Sequence, residues 1–296
     1  MVAYGSERRL TGSTGVLGVI GDPIAHSLSP AMQNAALEAL ALDYIYVPFH
    51  VNPLHVGEAI AGMKAFGIRG LNVTIPHKVA VIDHIDEIEP VAGLIGAVNT
   101  ISNEGGRLVG YNTDGRGFLQ SLKEEADREP PGQRITIIGA GGSARAIGFQ
   151  LAVSQVERLV IANRTRGKAL ALAAEIADKT KCSTVGIGLH QLESYLPATD
   201  ILINTTSLGM HPQVDTMPPV ECGKLPSSAL VCDIVYNPSE TLLLRKAAAC
   251  GLPTLPGLGM LVYQGAAALE IWLQVKPPID VMKAVVKQEL ENCSQN

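Results

Sequence analysis

The chain has few cysteines, and their arrangement suits neither a metal site nor a disulfide framework. Five cysteines are spread over 296 residues, and no C-x-x-C pair is present. An odd number of widely spaced cysteines gives no disulfide pattern, and no histidines stand at the spacing of metal ligands. We therefore expect no bound metal, and reduced thiols of the kind found in cytoplasmic proteins.

Charge is also sparse, and no block of one sign is present. Charged residues make up 17% of the chain and the net charge is -5. Binding to a phosphate backbone needs a concentrated positive patch, so we expect no nucleic-acid partner. An anionic substrate must instead be held by local hydrogen-bond donors, because no broad positive field attracts it.

No apolar run is long enough for a membrane span. The most apolar segment, residues 257–273, is interrupted by Gln264 and Glu270 and predicts a packed helix rather than a bilayer crossing. The N-terminal segment carries Arg8 and Arg9 without an apolar stretch behind them, so we expect no secretion signal. These features predict a soluble, cytoplasmic protein with no membrane partner.

Short β-branched runs alternate with longer stretches rich in alanine and leucine, which is typical of α/β architecture built on parallel sheets. The hydrophobic content is 47%, enough for packed cores, and the length fits two domains. The predicted strands are residues 16–21, 44–50, 71–74, 135–138, 159–162, 201–204 and 230–235. The predicted helices are residues 30–40, 53–66, 144–153, 168–179, 240–249, 258–273 and 279–290.

A polar stretch at residues 124–133, which contains P-P-G, marks the entry to the second domain. The strand and helix order beyond it predicts a Rossmann-type, doubly wound domain over residues 115–256. We expect residues 1–114 to form the first domain and the closing helices, within residues 257–296, to complete it.

The second domain contains a glycine-rich turn, G-A-G-G-S-A, that directly follows a predicted strand and opens a predicted helix. Gly139 permits the tight turn, Gly141 lets a pyrophosphate approach the backbone, and Ala144 lets the helix pack closely on the strand. The helix N-terminus offers unpaired N–H groups to the phosphates. The turn predicts a dinucleotide site, against the alternative of a glycine-rich turn without a ligand. The residues assigned to it are Gly139, Ala140, Gly141, Gly142 and Ser143.

The next strand ends in N-R-T, at Asn163, Arg164 and Thr165, rather than in an acidic residue. A carboxylate there would bind the ribose hydroxyl of NAD and repel a 2'-phosphate, whereas an arginine binds that phosphate and stacks on the adenine. Lys168 adds a second positive charge. The pattern predicts NADP rather than NAD, against the alternative that Arg164 is an ordinary solvated loop residue.

Four polar clusters in the first domain are candidates for a substrate site. They are S-L-S-P at 27–30, N-V-T-I-P-H-K at 72–78, G-A-V-N-T at 96–100 and G-Y-N-T-D-G at 110–115. Ser29 is either the cap of a helix that begins with proline or, together with Ser27, a ligand for a carboxylate at the helix N-terminus. Lys78 follows a strand at the edge where α/β sheets bind ligands, which makes it a candidate acid or base. Asp114 is either a helix cap or a ligand for sugar-like hydroxyls.

The ordered set of motifs resembles the shikimate dehydrogenase family. Besides the clusters and loops above, it includes N-T-T-S-L-G-M at 204–210, Y-N-P at 236–238 and Y-Q-G-A at 263–266. Each motif alone is weak, but their complete order is specific. The resemblance extends from Val16 to about Leu273, nearly the whole chain.

The resemblance implies the reversible, NADPH-dependent reduction of 3-dehydroshikimate to shikimate, a step of aromatic amino acid biosynthesis. It implies a small-molecule substrate held in the first domain and NADP in the second, with Lys78 and Asp114 as the catalytic pair. The substrate-binding residues it implies are Ser27, Ser29, Asn72, Thr74, Asn99, Tyr236 and Gln264. It also implies that Ile234 and Gly257 lie at the nicotinamide.

The chemistry of the residues agrees with these roles. Hydride transfer to a carbonyl leaves an alkoxide that needs a proton donor, and a lysine ammonium can supply it at neutral pH. The charge of Asp114 favours a protonated Lys78, whereas desolvation in a closed cleft favours the neutral amine, and the sequence leaves this balance open. His77 is an alternative base, but neighbours in an extended segment point to opposite faces, so we expect it to face away from the cleft.

Other functions share parts of this pattern. A shikimate/quinate dehydrogenase of broader specificity is the nearest alternative, although Ser29 favours shikimate. A non-catalytic metabolite sensor is disfavoured by the presence of both Lys78 and Asp114. Another two-domain NADP enzyme, such as a folate dehydrogenase, does not fit the first-domain motifs. The assembly is expected to be a monomer or a homodimer.

Overall fold

The computed structural model describes residues 10–294, and in that part of the chain it contains two six-stranded sheets. The first sheet comprises β1 Gly15–Gly21, β2 Tyr44–His50, β3 Gly70–Val73, β4 Glu87–Ile88, β5 Thr100–Glu104 and β6 Arg107–Tyr111. The second comprises β7 Arg134–Ile138, β8 Arg158–Asn163, β9 Thr184–Gly188, β10 Ile201–Asn204, β11 Leu230–Asp233 and β12 Thr254–Leu255.

Helices connect and cover both sheets. The α-helices are α1 Ser29–Ala39, α2 Val56–Ala65, α3 Pro90–Ile95, α4 Thr113–Ala126, α5 Gly142–Val153, α6 Arg166–Thr180, α7 Leu242–Ala249, α8 Leu258–Leu273 and α9 Ile279–Ser294. Short 3-10 helices lie at Pro53–His55, Ala80–His84, Leu189–Ser194, Leu196–Ala198 and Cys222–Lys224. Within the described residues no helix is both long and apolar enough to cross a membrane.

The first sheet is mixed rather than wholly parallel. Its strand order is β2-β1-β3-β5-β6-β4, with β1 parallel to β2 and β3, and with β5 antiparallel to both β3 and β6. The β5–β6 hairpin turns at Gly105 and Gly106, both at positive φ. Its short, polar strands were not predicted, because a run such as T-I-S-N-E lacks the apolar content of a buried strand.

The second sheet has the order β12-β11-β10-β7-β8-β9, and every neighbouring pair is parallel. Counted along this half of the chain, that is the doubly wound 3-2-1-4-5-6 order. The chain reverses direction across the sheet between β7 and β10, and ligands of such folds bind beyond the carboxyl ends of the strands at that point. The prediction of two α/β units, one of them Rossmann-type, is confirmed.

The closing helices return to the first sheet. Trp272 of α8 is fully buried in a core shared with Leu17 and Tyr46, and its indole Nε1 donates to the Ile101 carbonyl at 2.9 Å. Helices α4 and α8 lie very close together at Gly117. A Cβ added at this glycine would lie 2.5 Å from the Gln264 backbone nitrogen. Trp272 thus anchors the C-terminal end of α8 to the first sheet, and the contact at Gly117 holds α4 against the middle of α8.

Candidate active site

A cavity of about 360 Å³ lies between the two sheets. Its walls come from the loops after β1, β3 and β11, from the first turns of α4 and α5, and from α8. It therefore opens at the carboxyl ends of strands from both halves of the chain, where α/β proteins place their ligands.

Lys78 and Asp114 meet inside this cavity. The Lys78 Nζ donates to Asp114 Oδ2 at 2.6 Å, and the two side chains are 28% and 13% exposed. Lys78 lies in the turn after β3, whereas Asp114 lies in the first turn of α4, where the helix dipole favours a negative charge. The fold thus brings an amine and a carboxylate from separate loops to one point.

Asn112, not Asp114, caps α4. The Asn112 side chain accepts from the Asp114 backbone N–H at 3.1 Å, so the capping interpretation of Asp114 is wrong. The second carboxylate oxygen of Asp114, Oδ1, accepts from Asn99 Nδ2 at 2.8 Å. The Asn99 Oδ1 in turn accepts from the Thr113 backbone N–H at 2.8 Å. The Asp114 carboxylate is therefore held at both oxygens and turned towards Lys78.

The two serines border the cavity beside the start of α1. Helix α1 begins at Ser29, its N-cap position is Leu28, and no side chain caps it. Ser29 as a helix cap is therefore wrong. The Ser27 hydroxyl accepts from the Ser29 backbone N–H at 3.3 Å, and both serines line the cavity.

The other predicted substrate residues come to the same cavity. These are Asn72, Thr74, Asn99, Tyr236 and Gln264. Gln264 Nε2 donates to the Leu261 carbonyl at 2.8 Å, which leaves its oxygen available. Burial raises the pKa of Tyr236, so its phenol remains a hydrogen-bond donor near neutral pH.

His77 points away from Lys78, as predicted. It is 1% exposed, and its Nε2 lies 2.7 Å from the Val51 carbonyl oxygen. The reason differs from the expected one, because residues around it form a turn rather than an extended strand. Its ring therefore binds the backbone of Val51, and neither residue lines the cavity.

The glycine-rich turn joins β7 to α5 and crosses over the β10 loop. Gly139 has φ 119°, and an added Cβ would lie 2.3 Å from Thr205 Oγ1, so only glycine fits there. Added Cβ atoms at Gly141 and Gly142 would meet no atom within 4 Å. Since no side chain caps α5, its first N–H groups face open space, which fits a phosphate.

The N-R-T loop lies next to this turn. Strands β7 and β8 pair in parallel up to Ile138 and Ala162, so the loops that follow them share one edge of the sheet. Asn163 Nδ2 donates to the Thr165 carbonyl at 3.0 Å and holds the loop shape. The exposed cations around it are Arg164, Lys168 and Arg166, of which Arg166 was not selected from the sequence.

Three predicted cofactor residues reach the central cavity: Ser143, Ile234 and Gly257. A Cβ added at Gly257 would lie 2.3 Å from the Ile234 carbonyl oxygen, so the two segments touch backbone to backbone. The remaining ones lie outside the cavity lining, along the β7 and β8 loops. They are Gly139, Ala140, Gly141, Gly142, Asn163, Arg164, Thr165 and Lys168.

Sequence patterns missed several residues of this region. His26, Met260 and Leu261 also line the cavity, and Tyr46 forms a hydrogen bond directly behind it. Met260, Leu261 and Tyr46 are apolar or aromatic residues of helices and strands, which look like core positions in a sequence, and His26 is a single histidine in a loop. Only the three-dimensional arrangement distinguishes them.

Fold and site together are those of a two-domain, dinucleotide-dependent oxidoreductase. Family models match three segments: the shikimate dehydrogenase substrate binding domain over residues 19–101, shikimate / quinate 5-dehydrogenase over 122–234, and the shikimate 5'-dehydrogenase C-terminal domain over 257–287. A shikimate dehydrogenase (NADP(+)) of Desulforamulus reducens is 45% identical over 95% of this chain and 98% of its own. The chain belongs to the shikimate dehydrogenase family.

Solved structures agree with this membership. A crystal structure of shikimate dehydrogenase in complex with NADP+ matches with a TM-score of 0.89 at 45% identity, covering 95% of this chain and 98% of the other. A ligand-free 5-ketofructose reductase of Gluconobacter sp. strain CHM43 matches with a TM-score of 0.87 at 39% identity, covering 96% and 100%. The same architecture therefore serves more than one ketone reductase.

Proposed function

We propose that this protein catalyses the reversible NADP-dependent reduction of 3-dehydroshikimate to shikimate, in the synthesis of aromatic amino acids. The observation that carries the proposal is the 2.6 Å contact between Lys78 and Asp114. It lies in a cavity that reaches Ser143, Ile234 and Gly257 on the dinucleotide side. The family membership supports the same activity.

In the proposed mechanism, NADPH supplies the hydride when it is bound. Lys78 donates a proton to the carbonyl oxygen as that oxygen becomes an alcohol, and takes the proton back in the oxidation direction. Asp114 holds the ammonium through Oδ2 and accepts a hydrogen bond from a neighbouring substrate hydroxyl. Its fixation by Asn99 prevents the carboxylate from turning away.

The cavity wall supports a carboxylate at one end and hydroxyls at the other. Ser27 and Ser29 bind the carboxylate together with Tyr236, because all three are hydroxyl donors on the cavity wall. Thr74, Gln264, Asn72 and Asn99 form the side of the cavity that binds the substrate hydroxyls. A sugar ketone such as that of 5-ketofructose has no carboxylate for the serines, so the pair favours a carboxylic acid substrate.

The dinucleotide residues support NADP. We assign the pyrophosphate to the 139–143 loop, whose open glycines leave room for it, and the nicotinamide to Ile234 and Gly257. Arg164 and Lys168 hold the 2'-phosphate, with Asn163 and Thr165 shaping the loop. The absence of an acidic residue at the end of β8 removes the group that would reject that phosphate.

We assign residues 1–114 with 257–296 to the substrate domain, and 115–256 to the NADP domain. Two packing contacts support this division. Trp272 packs into the core of the first sheet, whereas Phe118 and Leu122 of α4 pack into the core of the second. We further assign the protein to the cytoplasm as a monomer or homodimer, which fractionation and light scattering test.

The test is NADP-coupled oxidation of shikimate by the purified protein, run beside quinate and beside NAD. We expect shikimate with NADP to give the highest kcat/KM. Comparable rates with quinate would support the broader shikimate/quinate activity instead. Binding of NADPH and shikimate without any change in nicotinamide absorbance would support a metabolite sensor and refute the proposal.

A further inference from the structure

Tyr46 lies directly behind the cavity wall and does not line it. It sits on β2, is 1% exposed, and its hydroxyl donates to Asn72 Oδ1 at 2.7 Å. Its ring packs against Trp272, with centroids 6.2 Å apart. A buried phenol needs a hydrogen-bond partner, and here the partner is a side chain of the cavity wall.

The hydrogen bonds of Asn72 fix the orientation of its amide. Its Nδ2 donates to the Asn99 carbonyl at 3.2 Å and to Thr100 Oγ1 at 3.1 Å. A carbonyl can only accept, so the nitrogen must face Asn99 and the oxygen must face Tyr46. Both donors of the amide are then used, and one lone pair of Oδ1 is left on a residue that lines the cavity.

The same network continues to the catalytic pair. Thr100 Oγ1 donates to Asn99 Oδ1 at 2.9 Å, and Asn99 in turn holds Asp114. A chain of hydrogen bonds therefore begins at Tyr46 and ends at Lys78. It passes through Asn72, Thr100, Asn99 and Asp114. Burial raises the pKa of Tyr46, and a hydrogen bond with Ser29 offsets only part of that rise, so the phenol stays protonated and able to donate to Asn72.

We propose that Tyr46 is a positioning residue that makes Asn72 a hydrogen-bond acceptor for a substrate hydroxyl. By occupying one lone pair of Oδ1, the phenol directs the other towards the cavity and prevents the amide from turning. The site then selects a ligand with a hydroxyl donor at that point, as a polyhydroxylated ring has. The inference rests on the proposed function, and it assigns Tyr46 no contact with the substrate.

The test is Tyr46→Phe in the full-length protein, which keeps the ring and removes the hydroxyl. Without the phenol the Asn72 amide is no longer held in place, and the binding lost is about that of one net hydrogen bond. We therefore expect the KM for shikimate to rise about two- to tenfold. Since this binding is made equally in the ground and transition states, kcat should stay within about twofold. The KM for NADP and the Tm should stay close to the wild-type values.

Tyr44→Phe is the matched control. Tyr44 lies two residues earlier on the same strand, and its hydroxyl makes no hydrogen bond to the side chains described over residues 10–292. Its removal should leave the KM for shikimate unchanged. Equal KM values for shikimate in the two variants would overturn the positioning role. So would a Tyr46→Phe variant with a lower Tm and equal rises in the KM values for shikimate and NADP.

A double-mutant cycle identifies the residue through which Tyr46 acts. Asn72→Ala should raise the same KM, and adding Tyr46→Phe should then cause no further rise, because the amide that the phenol holds is gone. An undiminished further rise would overturn the proposal. An active wild type with a silent Tyr46→Phe refutes the positioning role alone, whereas an inactive wild type refutes the proposed function and the substrate hydroxyl with it.

Discussion

Replacing Lys78 with alanine removes the only group assigned as proton donor in the proposed reaction. Its Nζ is 2.6 Å from Asp114 Oδ2, so the ammonium is held at a fixed point of the cavity wall, from which we propose that it protonates the substrate oxygen. A positioned general acid contributes about 10²- to 10⁴-fold to the rate, and we expect kcat to fall by that factor. The corresponding rise in the activation free energy is about 3 to 5.5 kcal/mol.

The assay is the initial rate of shikimate oxidation followed at the nicotinamide absorbance, with NADPH affinity measured separately by titration. Lys64→Ala is the matched control, because Lys64 forms an ion pair with Asp86 at 3.3 Å and is 49% exposed, far from the cavity lining. NADPH affinity should stay within about twofold in both variants, since neither lysine belongs to the assigned dinucleotide residues. A Lys78→Ala enzyme that keeps a tenth or more of the wild-type kcat, an activation cost of at most about 1.4 kcal/mol, would refute the reasoning.

Three further predictions concern the cofactor, the pH dependence and the core. Arg164→Ala should raise the KM for NADPH at least about tenfold while leaving the KM for NADH nearly unchanged, because only NADPH has the 2'-phosphate that pairs with the guanidinium. Equal effects on the two KM values would contradict contact with the 2'-phosphate. Burial raises the pKa of Asp233 to about 6, so the folded protein binds a proton at this carboxyl more tightly than the unfolded chain does. The resulting stabilisation of the folded protein is complete below the unfolded pKa, near 3.8. It is lost as the pH rises through 6. Denaturant unfolding from pH 4 to 7 should therefore show a loss of up to about 3 kcal/mol that is absent in Asp233→Asn. Trp272→Ala should cost about 3 to 5 kcal/mol, measured by circular dichroism because Trp272 is the single tryptophan; a cost below about 1 kcal/mol would show that the indole does not fill the core.

The second half of the fold was the more predictable one. Its strands are apolar, β-branched and parallel, and buried on both faces, so the sequence distinguishes them from the flanking helices. The strand Ile201–Asn204 and the helix Leu258–Leu273 were predicted to the residue. Strand β9, at Thr184–Gly188, was missed because an edge strand containing two glycines has little apolar signal.

The first half was less predictable because its sheet ends in a polar antiparallel hairpin. The clusters at 96–100 and 110–115 were assigned no secondary structure, whereas Thr100 begins β5, Tyr111 ends β6 and Thr113 begins α4. The last residues of α4 were taken for an interdomain linker, since that helix buries few large apolar side chains. Helix α4 buries Phe118 and Leu122, but its last turn is polar and charged, so in the sequence that end looks like part of the following linker.

The candidate site was accessible from motifs only where the residues themselves have reactive or hydrogen-bonding side chains. All predicted substrate residues line one cavity with Lys78 and Asp114. Tyr46 carried no signal, because an aromatic residue in an apolar strand is expected to be core. Its position behind Asn72 depends on the register of β1 with β2 and β3, which local sequence does not specify.

The close approach of α4 and α8 at Gly117 has a consequence for how the site tolerates change. Asp114 lies in the first turn of one of these helices and Gln264 lies on the other, and the space between their backbones is too small for a single methyl group. A substitution at 117 would wedge the helices apart and separate the carboxylate from the glutamine, although the altered atom touches no ligand. The dimensions of the candidate pocket are thus set partly by a missing side chain, one helical turn away from Asp114.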